Sequence, residues 1–255
     1  MNLKRRYHNA LVYVTKRCNL RCPRCFLSDL NAEQRHYEMT WIQYVRIIHR
    51  IKEQGLMLNV LHFTGGEPTL WPHLKEAIAY ARQQRIARWI RVVTNGMDRT
   101  IEDYGQADIV HISHYGAINR QDILRLKQQG QWRVKVQYTV HLPWPFPDNP
   151  DALPSDCGCI NMAFLGDRVY PCGLAAARET ETFYDVESNF YDLLVANTPC
   201  YQTLCRTCLS NRKNKQHHMT GLTAEFGVWD SPISYLWDFK TKGLWLRKLY
   251  RRLSV

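Results

Sequence analysis

Five short β-prone runs, each ending on polar or glycine residues and separated by stretches of helix length, constrain the fold of this chain more than any other feature. They lie at residues 11–14, 60–63, 89–93, 109–112 and 134–140. Alternating strands and helices over the first 140 residues favour parallel β/α units, because parallel neighbours need a crossover between them. Thr40-Trp-Ile-Gln43 reads as a capping box, after which Trp41, Tyr44, Val45, Ile48 and Ile51 share one helical face before Gly55 closes the helix. A second helix turns Leu74, Ala77, Ile78 and Ala81 inward, and a further helix is expected near residues 123–126.

Parallel α/β sheets and barrels gather their ligands at the carboxyl ends of the strands. At those ends stand a cysteine loop after the first strand, Gly65-Gly66-Glu67-Pro68 after the second, Thr94-Asn95-Gly96 after the third and Ser113 after the fourth. Gln137 and His141 lie on and beyond the fifth. Gly96 and Gly116 need do no more than turn the chain. Glu67 has no such explanation, so residues scattered over a hundred positions point to one rim.

The cysteine loop reads Cys18-Asn-Leu-Arg-Cys22-Pro-Arg-Cys25, three soft thiolates within eight residues. An iron-sulfur cluster is normally held by four cysteines, so a trio leaves one iron open for something else. A structural zinc site is the competing reading. Spacings of three then two residues argue against it, and neither His8 nor His36 stands at a zinc-ribbon distance from the trio.

This C-x3-C-x2-C run resembles the signature of the radical S-adenosylmethionine (radical SAM) enzymes. The resemblance implies a partial (β/α)6-type TIM barrel whose Cys18, Cys22 and Cys25 hold a 4Fe-4S cluster, with S-adenosylmethionine chelating the open iron. It also implies reductive cleavage of that cofactor to a 5'-deoxyadenosyl radical, which abstracts hydrogen from substrate, and an electron donor such as flavodoxin or ferredoxin. Gly65, Gly66, Glu67 and Pro68 resemble the family's GGEP segment, which receives the methionine ammonium of the cofactor. Glycines permit close approach and a carboxylate suits a cation. Asn95 and Ser113 resemble positions that contact the cofactor's ribose and carboxylate. The chain departs from the family where Arg24 replaces an aromatic residue before the third cysteine, with Phe26 after it, and where Tyr115 replaces an aspartate beyond Ser113.

Nine cysteines, an odd number, do not read as a disulfide framework. Three fall in residues 18–25, none in 26–156 and six in 157–208, which argues for two separate metal sites. In the second group, Cys157 and Cys159 precede two short strands joined at Gly166-Asp167, which deliver Cys172; Cys200, Cys205 and Cys208 follow. This arrangement resembles the auxiliary-cluster module called twitch, shorter than its SPASM relative. The resemblance implies one auxiliary 4Fe-4S cluster on Cys159, Cys172, Cys205 and Cys208, with Cys157 and Cys200 as alternatives. A hairpin plus C-x2-C also builds zinc ribbons, so zinc competes here.

The expected organisation is a core at residues 1–155, the cysteine-rich module at 156–215 and a basic aromatic tail at 216–255. No run reaches the 18 or more apolar residues of a membrane span and no signal-peptide core follows Met1, so a cytoplasmic protein is expected. The formal charge is +11, with bases concentrated at residues 4–6 and 240–252. That points to a polyanionic partner such as nucleic acid. In the tail, Leu246, Leu249, Tyr250 and Leu253 share a helical face ringed by Arg247, Lys248, Arg251 and Arg252, which suits docking on the core, on nucleic acid or peripherally on an anionic membrane. Trp237, Phe239, Trp245, His217 and His218 add aromatic and polar groups there. The expected function is radical modification of a substrate by oxidation, isomerisation, epimerisation or bond formation, with a nucleic-acid base preferred on charge. A peptide maturase or sugar-modifying enzyme is the alternative, and a zinc-stabilised nucleic-acid-binding module is the reading from another class.

Overall fold

The computed structural model describes residues 8–22, 25, 27, 30, 32–97, 104, 106–114, 128, 133–138, 149–152, 162–181, 183–196, 205, 206 and 208. The helix expected near residues 123–126, His141, Cys157, Cys159, Cys200 and the tail at 216–255 lie outside them.

The first five strands are β1 (Asn9–Thr15), β2 (Leu58–Gly65), β3 (Ala87–Thr94), β4 (Ile109–His114) and β5 (Arg133–Tyr138). Each is parallel to the next, in sequence order. They match the runs expected from sequence and extend most of them, because backbone pairing continues past the last β-branched residue to the polar ends. Two helices fill the crossovers, α2 (Trp41–Glu53) and α3 (Leu74–Gln84), after a short α1 (Ala32–Arg35). The capping box forms as read: Thr40 Oγ1 accepts from the Gln43 amide at 3.2 Å and Gln43 Oε1 accepts from the Thr40 amide at 3.0 Å. The buried stripe of α2 is Tyr44, Ile47, Ile48 and Ile51, so Ile47 takes the place expected for Val45. In α3 the buried residues are Leu74, Ala77, Ile78 and Ala81, as the period demands.

The cysteine-flanked hairpin takes a place that sequence alone does not suggest. Its first strand, β6 (Met162–Leu165), pairs in parallel with β1, on the side away from β2. β7 (Arg168–Tyr170) and β8 (Tyr184–Asp185) follow antiparallel. Among the described residues the sheet therefore runs β5-β4-β3-β2-β1-β6-β7-β8, and the hairpin assigned by sequence to a separate module extends the core sheet. Two short helices complete this part, α4 (Gly173–Arg178) and α5 (Phe190–Ala196).

Strand alternation sends side chains to two faces. Ala10, Val12, Val14, Leu61, Phe63, Ile90, Val92, Val110 and Ile112 pack against α2 and α3 in the larger core. Tyr13 packs on the opposite face with Ala163, Leu165, Tyr170 and the alanines of α4. The Tyr13 hydroxyl donates to the Gly173 carbonyl at 2.9 Å, which fastens α4 to β1. No helix among the described residues is long and apolar enough to cross a membrane.

Candidate functional site

Two glycines after β2 bring the cysteine loop into place. A Cβ on Gly65 would lie 2.0 Å from the Thr15 carbonyl oxygen, and one on Gly66 would lie 2.1 Å from that of Arg17. Gly65 also has φ +147, which L side chains rarely adopt. This bare backbone lets the Gly66 amide donate to Thr15 O and the Glu67 amide to Arg17 O, both at 2.8 Å. From the other side, Lys16 N donates to Tyr37 O at 2.9 Å, and Met39 N donates to Val14 O at 2.8 Å. The start of the loop is thus stitched to two segments before the first cysteine is reached.

Glu67 is 0% exposed. Its Oε1 accepts from Thr94 Oγ1 at 2.7 Å, Thr69 Oγ1 at 2.9 Å and the Thr69 amide at 3.2 Å. Its Oε2 accepts from the Asn95 amide at 2.7 Å. Burial pushes its carboxyl above the usual range, and these hydrogen bonds pull it back. Four protein donors thus meet the carboxylate expected to receive an ammonium, and neither Glu67 nor Pro68 is among the residues lining the cavity described below. Pro68 instead starts a single 3-10 turn, Pro68–Leu70, as a buried residue.

Asn95 continues the connection. Its side-chain amide donates to Asn19 Oδ1 at 2.7 Å and approaches Cys18 Sγ at 3.8 Å, while its Oδ1 accepts from Met97 N at 2.9 Å. Asn95 is thus tied to the cysteine loop itself, a role that its position after β3 alone does not reveal.

A cavity of about 750 Å³ opens at the carboxyl ends of β1 to β4. Cys18, Cys22 and Cys25 share its wall with Gly65, Gly66, Asn95 and Ser113. Six of the expected cofactor and cluster positions from the first three strands, together with Ser113 on the fourth, meet in one space. Gln137 is placed by the register beside Ser113, on the neighbouring strand. Sequence reading placed Thr64 and Thr94 at strand ends without assigning them to the site, and it did not assign Lys16 or a basic border of Arg17, Arg21, Arg35 and His36. The polar strand ends were the available signal for the first three; the border comes from tertiary folding of the loop. Lys16 has a fully enclosed side chain and forms an ion pair with Glu179, just beyond α4.

The donor set fits an iron-sulfur cluster. The Cys18 sulfur accepts from the Leu20 amide and the Cys25 sulfur from the Leu27 amide, both at 3.4 Å. Such hydrogen bonds favour sulfur that carries negative charge. Burial raises the Cys18 and Cys22 thiols; Glu67 and then Cys25 raise Cys18 further, and Cys25 and Cys18 raise Cys22, so a bound cation would relieve a repulsion between negative groups. No group of three His, Cys, Asp or Glu side chains among the described residues converges on a single ion. A cluster is compatible with that spacing, because each thiolate takes a different corner iron.

Of the second cysteine set, Cys172 ends the hairpin and its sulfur accepts from Ala175 N at 3.3 Å, at the start of α4. The Cys208 amide donates to the Cys205 carbonyl at 3.3 Å, so that pair forms a turn.

Comparisons with known proteins agree with this geometry. Residues 12–133 match the family model of the Radical SAM superfamily. The chain is 32% identical over 105 residues to a PqqA peptide cyclase from Streptomyces rochei, covering 40% of this chain and 28% of that protein. It is 34% identical over 125 residues to a GTP 3',8-cyclase from Mycobacterium marinum, covering 44% and 34%. The matches thus span about a third of these relatives' own lengths. Among solved structures, BtrN in complex with AdoMet and 2-DOIA superposes with a TM-score of 0.57 at 12% identity, covering 82% of this chain and 89% of that one. Native anSMEcpe with bound AdoMet superposes with a TM-score of 0.52 at 12% identity, covering 84% and 97%. These likenesses establish a shared mixed α/β fold with a mainly parallel sheet. The segment at residues 12–133, which carries the three cysteines, the paired glycines and the first four parallel strands, is the part of the chain that matches the Radical SAM superfamily.

Proposed function

We propose that the chain is a radical SAM enzyme that binds a 4Fe-4S cluster through Cys18, Cys22 and Cys25 and uses S-adenosylmethionine in the cavity beside them. The observation that carries this reading is the meeting of the three thiols with Gly65, Gly66, Asn95 and Ser113 on one cavity wall. A cluster held there would supply the electron for reductive cleavage of the cofactor, and with it radical hydrogen abstraction from a substrate. The chain's own residues hold and shield the site: the glycine turn places the cysteine loop, Glu67 braces the strand ends, and Asn95 anchors the loop beside Cys18. The volume accords with pockets of about 300–1,000 Å³ that bury a small ligand.

The two curated relatives act, by their names, on a peptide and on GTP. Neither supports the nucleic-acid base preferred on charge, and a peptide or small-molecule substrate is the reading they favour. Cys159, Cys172, Cys205 and Cys208 are proposed to hold an auxiliary cluster for electron transfer. The hairpin end at Cys172 and the turn at Cys205 and Cys208 support it.

Anaerobic reconstitution followed by iron and sulfide counting tests the proposal, with 5'-deoxyadenosine measured after reductant and S-adenosylmethionine are added. Fewer than about four irons per chain would overturn it. Cys22→Ala should lose both iron and 5'-deoxyadenosine; cleavage equal to wild type would sink the assignment. Cys205→Ala should retain cleavage while losing iron at the second site only.

A further inference from the structure

A second layer of side chains lies beneath the cavity floor. Thr64, Val93 and Ser113 line the cavity. Two residues earlier on the same strands, and so on the same sheet face, come His62, Arg91 and His111. The step is about 7 Å, a depth that an extended arginine side chain spans. His62 and Arg91 are direct register partners on β2 and β3, and His111 on β4 is the partner of Val93, diagonal to Arg91.

Arg91 is the fixed cation of this layer, and neither it nor His62 is paired with a counter-charge among the described residues. His62 is 8% exposed and takes part in no hydrogen bond or ion pair there. Arg91 is half-buried, forms no ion pair with a described carboxylate, and has its Nε enclosed without a hydrogen-bond partner. Burial, then the nearby Arg91 and His111, hold His62 down at about 3, so its ring is neutral at pH 7. Enclosed polar and charged groups are normally paired, because desolvation without a partner is costly. If packing were their only role, leucine or valine would fill the places of His62 and Arg91 better.

We propose that His62, Arg91 and His111 form a recognition site for a compact oxyanion, a carboxylate or phosphate group of the molecule that reacts in the cavity above. Arg91 offers a planar fork suited to two oxygens, and a neutral imidazole has one N–H to donate. The inference rests on the radical SAM reading for what happens above the layer, while anion binding itself needs no catalysis.

Isothermal titration calorimetry of the anaerobically reconstituted full chain, with inorganic phosphate and separately with succinate, tests it. One saturable site for at least one of the two anions is expected, and the anion that binds names the group. Arg91→Gln should weaken binding about tenfold or more, the loss of one hydrogen bond to a charged group. Arg91→Lys, which keeps the charge and the length, should lose less and serves if the glutamine variant fails to fold. Arg88→Gln, an equal change of charge at an exposed neighbour, should leave binding unchanged. Absence of saturable binding for both anions, unchanged affinity in both Arg91 variants, or an equal loss in Arg88→Gln would overturn the proposal. Anion binding that depends on Arg91 in a chain yielding no 5'-deoxyadenosine would overturn the radical SAM reading and leave this site standing.

Discussion

Substituting Glu67 separates a brace from a ligand. Glu67→Ala removes the acceptor for two amides and two threonine hydroxyls. The Asn95 amide is buried, and a buried donor left unsatisfied costs about 1–3 kcal/mol. The Thr69 amide is only partly buried and recovers some of its loss from water. The deleted Cγ methylene adds about 0.8 kcal/mol. Relief from burying a carboxylate offsets part of this, since burial already pushes its ionisation up. The net expectation is a loss of about 2–4 kcal/mol. Glu67→Gln keeps the shape but turns an NH2 toward one of the donors, for a loss of about 1–3 kcal/mol. Urea unfolding of the full chain at constant slope measures both. Iron content should fall with stability, because Asn95 links Glu67 to Cys18 and Asn19. If Glu67→Gln lost affinity for S-adenosylmethionine while its stability stayed within about 0.5 kcal/mol of wild type, the carboxylate would be a ligand and the brace would be refuted.

Three further outcomes follow from buried contacts. Gly66→Ala drives a Cβ against the Lys16 and Arg17 carbonyls, backbone atoms that cannot swing aside, and should cost about 3 kcal/mol or more along with iron loading; a stable, iron-replete variant would refute that close approach. For the Lys16–Glu179 pair, Glu179→Gln should destabilise by about 3–5 kcal/mol by stranding a buried ammonium. Lys16→Met should cost less, because the Glu179 side chain keeps 30% of its exposure, and the reverse order in denaturation would refute the reasoning. His62 sets a pH dependence: its folded value of about 3 lies below the unfolded 6.5, so the unfolded chain gains a proton that the folded one refuses as pH falls. Stability should therefore drop between pH 6.5 and 3, by about 2 kcal/mol from pH 6.5 to pH 5. His62→Gln should flatten that slope, and equal slopes in the two proteins would count against a buried neutral imidazole.

Much of the framework was legible in sequence because its causes are local. The capping box, the α3 stripe at Leu74, Ala77, Ile78 and Ala81, and all five parallel strands follow from capping chemistry and periodicity. The α2 stripe shifted by one position, to Ile47, because the partner surface selects which neighbouring residues of an apolar arc are covered. Glu67 was singled out correctly as unexplained by turning, yet its partners were not foreseeable. Thr94 and Asn95 lie 27 and 28 residues away and meet it only through the parallel register.

From its residues alone, this chain reveals its alternating α/β architecture and its three-thiolate loop at a strand end, since period, capping and ligand spacing are written over a few neighbouring positions. Tertiary structure decided that the late hairpin joins β1, that the paired glycines serve the cysteine loop, that Lys16 finds Glu179, and that His62, Arg91 and His111 form one layer. Those relations join residues far apart in the chain, and only strand register and close packing set which of them meet.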